Sequence, residues 1–166
     1  MPDAIVLLKE DHKTVEALFK RFEKLEKSDG KPSEKRKVVD QILAELSVHT
    51  AIEEKHFYPV VREKDKEIED LVLEGVEEHH VVDVTMEELS TLDPEAENFD
   101  AKVTVLIELV RHHVEEEEQE MFPKIREAMG RNDLQALGDV MEQAKIGEPY
   151  PADQAADQAR EKGNVT

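Results

Sequence analysis

The sequence contains no cysteine and no tryptophan, and aromatic residues make up only 4% of it. Without cysteine, disulfides, thiolate metal sites and thiol nucleophiles are excluded. No stretch approaches the roughly 18 consecutive apolar residues of a membrane-spanning helix. The N-terminus MPDAIVLLKEDHK also lacks the basic start and the apolar run of a signal peptide. We therefore expect a cytoplasmic protein that does not act at a membrane.

Positive charge is scarce as well. The chain has 22 lysines and arginines against 41 acidic residues, which gives a formal net charge of −19. Phosphate backbones and anionic membrane surfaces repel such a chain, so we predict no nucleic-acid partner. The 166 residues, of which 39% are hydrophobic and 38% charged, are typical of one domain built from long amphipathic helices.

Apolar residues recur at helical spacing in four long segments, at about 4–27, 33–64, 66–91 and 100–129. No segment alternates with period two over a useful length, so strands are not expected. This pattern predicts an all-α fold, an up-down-up-down four-helix bundle over residues 1–130. A short extra C-terminal helix is predicted at 131–146. The remaining segment, 147–166, has almost nothing to bury and is predicted to be a mobile tail.

Two repeats run through these helices. The stretch HTAIEEKHFYP, residues 49–59, returns as HVEEEEQEMFP at 113–123; glutamate follows histidine by four residues and proline by ten in both. A second, less obvious repeat places apolar residues three, seven and ten positions after His12 and again after His79. The chain therefore reads as two similar helical hairpins, and residues four apart lie on one helix face.

The apolar stripe of each helix includes one histidine, and two of the stripes also include a glutamate. These inward residues are His12, His49, Glu53, His79, His113 and Glu117. The stripe of the second helix continues to Val60, and His56 also falls on its inward side.

The neighbouring polar residues are assigned to the surface. His80 and His112 are expected to be exposed, and a solvated acidic face is expected from Glu54, Glu115, Glu116 and Glu118. The large residues after each motif are expected to pack the bundle end: Phe57, Tyr58, Met121 and Phe122.

Buried carboxylates are costly unless a cation compensates them. No lysine or arginine occupies the stripes near Glu53 and Glu117, so a metal ion is the natural partner. Imidazoles and carboxylates without thiolates suit a pair of iron-like ions. Calcium or magnesium would require more oxygen ligands and fewer nitrogens.

Three other interpretations compete with this one. A HisxxxGlu pair on a helix surface contributes only a few tenths of a kcal/mol and needs no metal. An inert acidic bundle with titrating histidines is another alternative. Ferritin-like bundles use Glu-x-x-His on two helices; Glu53 with His56 and Glu77 with His80 match that spacing, but Glu77 is off the inward stripe.

The order His…HisxxxGlu…His…HisxxxGlu, with an aromatic-Pro after each HxxxEE, resembles the hemerythrin-like, HHE cation-binding domain family over residues 1–130. The resemblance implies a non-haem di-iron centre: two irons held by the four inward histidines, with Glu53 and Glu117 and an oxygen species as bridges. One coordination position would be open. No catalytic side chain is predicted apart from these ligands.

One departure from that pattern affects the expected function. Oxygen-carrying hemerythrins have a further histidine four residues after the one on the third helix, where this chain has Asp83, and their last helix has a longer spacing to an aspartate. We therefore expect a protein that binds or reduces a small ligand such as dioxygen, nitric oxide or peroxide. Non-enzymatic iron sequestration or iron and oxygen sensing is the alternative.

Overall fold

The computed structural model describes residues 1–147, which fold as helices joined by short turns. The helices of this part are α1 (Ala4–Lys27), α2 (Pro32–Ile52), α3 (Tyr58–Val61), α4 (Lys66–Thr91), α5 (Phe99–Glu116), α6 (Phe122–Ala128) and α7 (Arg131–Gly147). Residues 53–57 and 117–121 are π-helical turns, which join α2 to α3 and α5 to α6 without a break. These residues contain no strand, and the all-α bundle is confirmed.

The ends of the helices follow local sequence signals. Asp3 precedes α1 and accepts a hydrogen bond from the backbone N–H of Val6 at 2.9 Å. Asp65 does the same for α4, where the N–H of Glu67 donates at 2.7 Å. Both aspartates satisfy backbone donors that the first helical turn leaves free. Pro32 begins α2, where its missing N–H costs no helical bond.

The C-terminal helix predicted at 131–146 corresponds to α7. Beyond Gly147, the predicted mobile tail lies outside the described residues, and the division into 1–130 and 131–146 stays a prediction. Between residues 1 and 147, no helix is both long and apolar enough to cross a membrane.

The apolar core is divided into two clusters by a layer of buried polar residues. Along α1, Leu8 belongs to one cluster and Val15 to the other, with His12 between them. Along α4, His79 separates Val72 from Val82 in the same way. The apolar clusters therefore surround the polar layer and keep it away from solvent.

Both π-helical turns lie just before a proline. The N–H of Tyr58 donates to the carbonyl of Glu53, five residues earlier, and Phe122 repeats this bond with Glu117. Proline has no N–H for the usual bond to the residue four positions back, and a wider turn relieves that loss.

The wider turn adds one residue and moves the inward face by one position. Val60, predicted to lie in the apolar stripe, is 38% exposed, so that prediction is wrong; Val61 is fully buried instead. For the same reason His56 is only half-buried, while the next residue, Phe57, is completely buried.

This shift can be tested by stability measurements on the metal-free protein. We expect Val61→Ala to lower the free energy of unfolding by roughly 2 kcal/mol, because two buried methyl groups are lost. Val60→Ala should change it by less than about 0.5 kcal/mol. Urea unfolding of both variants gives the comparison. A larger loss of unfolding free energy in Val60→Ala than in Val61→Ala would show that the α-helix continues without the π-helical turn.

Candidate metal centre

The six residues predicted as ligands meet in the polar layer, and each is at most 6% exposed: His12, His49, Glu53, His79, His113 and Glu117. Each hairpin of the bundle contributes one pair of imidazoles. The rings of His12 and His49 have centroids 4.9 Å apart. Those of His79 and His113 are 4.6 Å apart, and their Nε2 atoms face each other at 3.1 Å.

Glu117 lies between the two histidine pairs. Its Oε2 is 3.2 Å from Nε2 of His12, and its Oε1 is 3.2 Å from Nε2 of His113. One carboxylate therefore reaches an imidazole of each hairpin.

Glu53 occupies the equivalent place on the other side of the layer. Its Oε1 contacts Nε2 of His49 directly and lies 4.0 Å from Nε2 of His79. Two glutamates that each contact both histidine pairs form a compact set of nitrogen and oxygen donors.

Several buried atoms of this donor set have no hydrogen-bond partner within the described chain. In residues 1–147, the buried side-chain nitrogen and oxygen atoms without a hydrogen-bond partner all belong to this site: Nε2 of His12 and of His49, both carboxylate oxygens of Glu53, Nδ1 of His79 and Oε2 of Glu117. Neither glutamate forms a salt bridge with lysine or arginine in this part of the chain. Buried polar atoms are normally satisfied, so a cluster of unsatisfied nitrogen and oxygen atoms in one buried layer is typical of a ligand-binding site.

The geometry of these donor atoms fits a metal cation. Ligand atoms of His12, His49, Glu53 and Glu117 lie within 4.8 Å of one another, and so do those of Glu53, His79 and His113. A metal–nitrogen bond is about 2.1 Å long, so donors 3.1–3.2 Å apart are compatible with binding one ion. Glu53 belongs to both groups.

The pKa values of the two carboxyl groups differ. Burial raises the pKa of Glu53, and the charge of Glu117 raises it further. Burial also opposes ionisation of Glu117, but the charge of His113 outweighs it and holds the pKa of Glu117 well below its usual range. A cation would neutralise both groups at once.

The imidazoles differ in the same way. Burial opposes protonation of His49, yet the charge of Glu53 and the hydrogen bond to Asp11 raise its pKa to about 10. The pKa of His113 is likewise raised, because Glu117 outweighs burial. His79 goes the other way: burial and the charge of His113 lower its pKa to about 3. The metal-free site therefore holds protons where a metal would bind.

An outer set of four carboxylates faces the Nδ1 atoms of the four histidines. Glu118 is hydrogen-bonded to His12 at 2.8 Å, Asp11 to His49 at 3.2 Å and Glu78 to His113 at 2.9 Å, whereas Glu54 lies 3.6 Å from His79, beyond hydrogen-bond distance. Such partners orient the ring and fix which nitrogen carries the proton. Since Nδ1 faces outward in each case, Nε2 is directed into the site.

The sequence interpretation missed this outer set. Glu118 was assigned to a solvated acidic face, and that assignment is wrong, because its carboxylate binds buried His12. A signal was present nonetheless: every outer carboxylate is the sequence neighbour of an inward residue, as Asp11 is of His12. Adjacent helical residues diverge by about 100°, so such a neighbour faces the adjoining helix.

Tyr58 is buried at the bundle end, as predicted, but its hydroxyl reaches the site. It donates a hydrogen bond to Oε1 of Glu117 at 2.6 Å and lies 3.4 Å from Nε2 of His113. Burial and the charge of Glu117 raise its pKa well above the ordinary value, so it keeps its proton. Gly75 provides the space for the hydroxyl, because a methyl group at this position would lie 3.1 Å from it.

The repeat counterpart of Tyr58 is Phe122. The two rings occupy equivalent places, since Tyr58 stacks on His79 at 5.5 Å and Phe122 stacks on His12 at 6.0 Å. Phe122 has no hydroxyl, so the hairpins are not chemically identical at the site.

The remaining candidates lie outside this cluster. His80 and His112 are exposed, as predicted. His112 pairs with Glu116 of its own helix at 3.2 Å. Glu77 is exposed as well, which removes the ferritin-like arrangement, and Asp83 lies on the surface.

Comparison with known proteins agrees with this geometry. The family model described as Hemerythrin HHE cation binding domain matches residues 3–125, which is most of the chain. The chain belongs to the hemerythrin HHE family. The family resemblance seen in the sequence is thus confirmed, and a cation-binding site is the role that the buried histidines and glutamates fit.

Two relatives were found for this HHE chain. A crystal structure of a hemerythrin HHE cation-binding domain-containing protein from Mycobacterium kansasii, a homologue of Rv2633c, superposes with a TM-score of 0.73 at 23% identity, covering 89% of this chain and 87% of the other. That similarity shows the fold. A protein of Nostoc sp. named DNA nickase is 28% identical over 120 residues, which are 72% of this chain and 32% of that protein. The chain therefore spans about a third of this relative's length.

The Tyr58 hydroxyl gives a first prediction for the site. Tyr58→Phe keeps the ring on His79 but leaves the buried, ionised Glu117 without its donor. We expect the free energy of unfolding of the metal-free protein to fall by about 2 kcal/mol, as for a hydrogen bond to a charged group. Urea unfolding measures it, and an unchanged stability would show that the bond to Glu117 does not form in solution.

The raised pKa values of His49 and His113 give a second prediction. Because both imidazoles must lose a proton to bind a metal, binding should release protons, and the apparent affinity should rise with pH between about 6 and 9. Calorimetric titration with Zn²⁺, a redox-inert probe, in buffers of different ionisation enthalpy counts the protons. A heat independent of buffer, with an affinity independent of pH, would mean that both rings are already neutral.

Proposed function

We propose that the protein is a non-haem di-iron protein that binds or reduces a small ligand such as dioxygen, nitric oxide or peroxide. The observation that carries the proposal is the convergence of every unsatisfied buried side-chain atom of residues 1–147 on one set of histidines and glutamates. His12 and His49 would hold one iron, and His79 and His113 the other. Glu53 and Glu117, which each contact both pairs, would bridge them together with an oxygen species.

The donor set supports a transition metal such as iron over calcium or magnesium. It offers imidazole nitrogens and carboxylate oxygens, with no thiolate in the whole sequence. Calcium and magnesium prefer oxygen-rich sites. When bound, iron supplies the electrons for small-molecule redox chemistry, and the protein supplies position and surroundings.

The protein's own groups would act in three ways. The outer carboxylates orient the imidazoles, so that Nε2 of each ring is presented to the metal. Tyr58 keeps its proton and holds Glu117 in place. The apolar clusters on both sides of the layer exclude bulk water, which strengthens every electrostatic interaction inside.

Access for a small ligand is supported by a groove between α1 and α5. It has a volume of about 580 Å³, reaches His12 and has apolar walls that include Phe19 and Val110. Asp83, which stands where oxygen carriers have a fifth histidine, is on the surface and adds no imidazole. Fewer protein ligands leave room for an exogenous one, which supports reaction or sensing over reversible oxygen transport.

Iron sequestration or sensing without turnover is the alternative proposal, and the same ligands would serve it. We do not extend the DNA-nicking role in the name of the Nostoc relative to this chain. Its net charge of −19 opposes binding to a phosphate backbone, so we propose no nucleic-acid partner.

Metal analysis of the purified protein tests the proposal directly. Anaerobic addition of Fe²⁺ should give about two irons per chain, and exposure to dioxygen or peroxide should produce near-ultraviolet bands of an oxygen-bridged iron pair. His113→Ala should remove at least one iron, whereas the adjacent, exposed His112→Ala should retain both. A protein that takes up no iron, or a loss confined to His112→Ala, would refute the assignment.

Turnover distinguishes the two alternatives. Mixing the iron-loaded protein with excess hydrogen peroxide or dioxygen, and following both the spectrum and the loss of the oxidant, should show repeated consumption if the protein is an enzyme. Consumption that stops at the equivalent of the bound iron would support sequestration or sensing.

A further inference from the structure

A chain of polar contacts links the last helix to one of the proposed ligands. Lys145, on α7, forms a salt bridge with Oδ1 of Asp11 on α1. The other oxygen of that carboxylate, Oδ2, lies 3.2 Å from Nδ1 of His49. The side chain of Asp11 is 14% exposed and that of His49 only 5%, so their contact is shielded from water, whereas Lys145, at 35%, lies at its solvent edge. The carboxylate of Asp11 therefore connects Lys145 to His49.

This link has no counterpart at the other three histidines. Glu54, Glu78 and Glu118 also face an Nδ1 atom, but in residues 1–147 none of them forms a salt bridge with a lysine or arginine. The duplicated hairpins supply all four outer carboxylates, whereas α7 occurs once and supplies the lysine. It also lies beyond the residues matched by the family model, which end at 125.

Packing fixes the position of α7. Its buried face, formed by Leu134, Leu137 and Met141, belongs to the apolar cluster at one end of the bundle. Gly138 permits a close approach, because a methyl group there would lie 2.7 Å from the carbonyl oxygen of Pro2 and 2.8 Å from the nitrogen of Ala4. The helix thus packs tightly against the start of α1, and this packing brings Lys145 to Asp11.

We propose that Lys145 is a positioning residue for His49, and that docking of α7 and metal occupancy of the site are thereby coupled. The proposal rests on the role of His49 as a metal ligand. With Lys145 in place, the two oxygens of Asp11 are divided between an ammonium group and an imidazole, which holds His49 with Nε2 in the site. Without Lys145, Asp11 is free to turn toward solvent and His49 loses its orientation.

Coupling of this kind acts in both directions. If docked α7 raises the affinity for metal by some factor, bound metal must favour docking of α7 by the same factor. Loss of an outer partner of a metal-binding histidine typically weakens metal affinity 10–100-fold. We therefore expect about a tenfold effect on the affinity for the metal held by His12 and His49, and a matching change in the opening of α7.

The test compares four full-length variants. Lys145→Met removes the charge, and Lys145→Arg retains it. Gly138→Ala forces α7 away from α1 without touching Lys145. Lys124→Met is the matched control, since it breaks a lysine–carboxylate bridge, to Glu67, that is exposed and unconnected to the site.

Metal binding is measured with Co²⁺ alone, by competition with a chelator and by the visible spectrum of the bound ion. Hydrogen exchange of α7 amides is followed with and without the metal. Lys145→Met and Gly138→Ala should both weaken binding about tenfold, change the cobalt spectrum and abolish the metal-dependent protection of α7. Lys145→Arg should restore all three, and Lys124→Met should resemble the wild type.

Two negative results have different meanings. If the wild-type protein binds two metal ions and Lys145→Met does so with the same affinity and spectrum, the coupling is refuted while the proposed function stands. If the wild-type protein binds no metal, both proposals fall. An affinity loss in Lys145→Met that Lys145→Arg does not restore, with an unaltered spectrum, would assign Lys145 a purely structural role and also refute the inference.

Discussion

Two carboxylates buried in the middle of an apolar core are the constraint on which the rest of the structure depends. Glu53 and Glu117 are essentially inaccessible to water and have no lysine or arginine beside them in the described chain. Leaving such charges uncompensated costs several kcal/mol per ion. The fold therefore surrounds them with imidazoles and directs the lone pairs of both groups toward a common centre. A cation at that centre would neutralise both carboxylates without protonating any imidazole.

Each hairpin buries its glutamate with the same local arrangement. The HisxxxGlu spacing puts an imidazole and a carboxylate on one face of a helix, and the π-helical turn that follows moves the large residues behind the glutamate into the core. π-Helical turns are frequent at functional sites because they redirect side chains without ending the helix. Here the turn begins at the glutamate itself. Ligand geometry and core packing are thus set by the same local distortion.

Sequence reasoning recovered what depends on a single helix. The stripes of α1, α4 and α5 place His12, His79 and His113 inward, and the structure buries each of them. It failed where the helix departs from regular α-helical geometry. Val60 was misplaced because spacing alone does not reveal the wide turn before Pro59.

The sequence analysis also missed the outer set of carboxylates, because their contacts join helices that are far apart in the sequence. Glu118 binds a histidine 106 residues earlier, and the contact of Lys145 with Asp11 spans 134 residues. When a single helix is considered alone, a run of charged residues is interpreted as a solvent-exposed face. Only the arrangement of neighbouring helices shows which of its members face an imidazole. The inward positions of the proposed ligands were therefore predictable from the sequence, and the carboxylates that face them were not.

The two hairpins carry the same set of proposed ligands, but the groups around this set differ. Each has a histidine on its first helix and a HisxxxGlu on its second, but only one has the hydroxyl of Tyr58 where the other has Phe122. Likewise, one outer carboxylate is held by a lysine of α7 and the other three are not. A symmetric donor set gives both halves of a site the same intrinsic affinity. Differences in hydrogen bonding and charge just outside it would then make the polarity of the two halves different. In this protein, the two hairpins thus share the proposed ligands and differ in the groups that surround them.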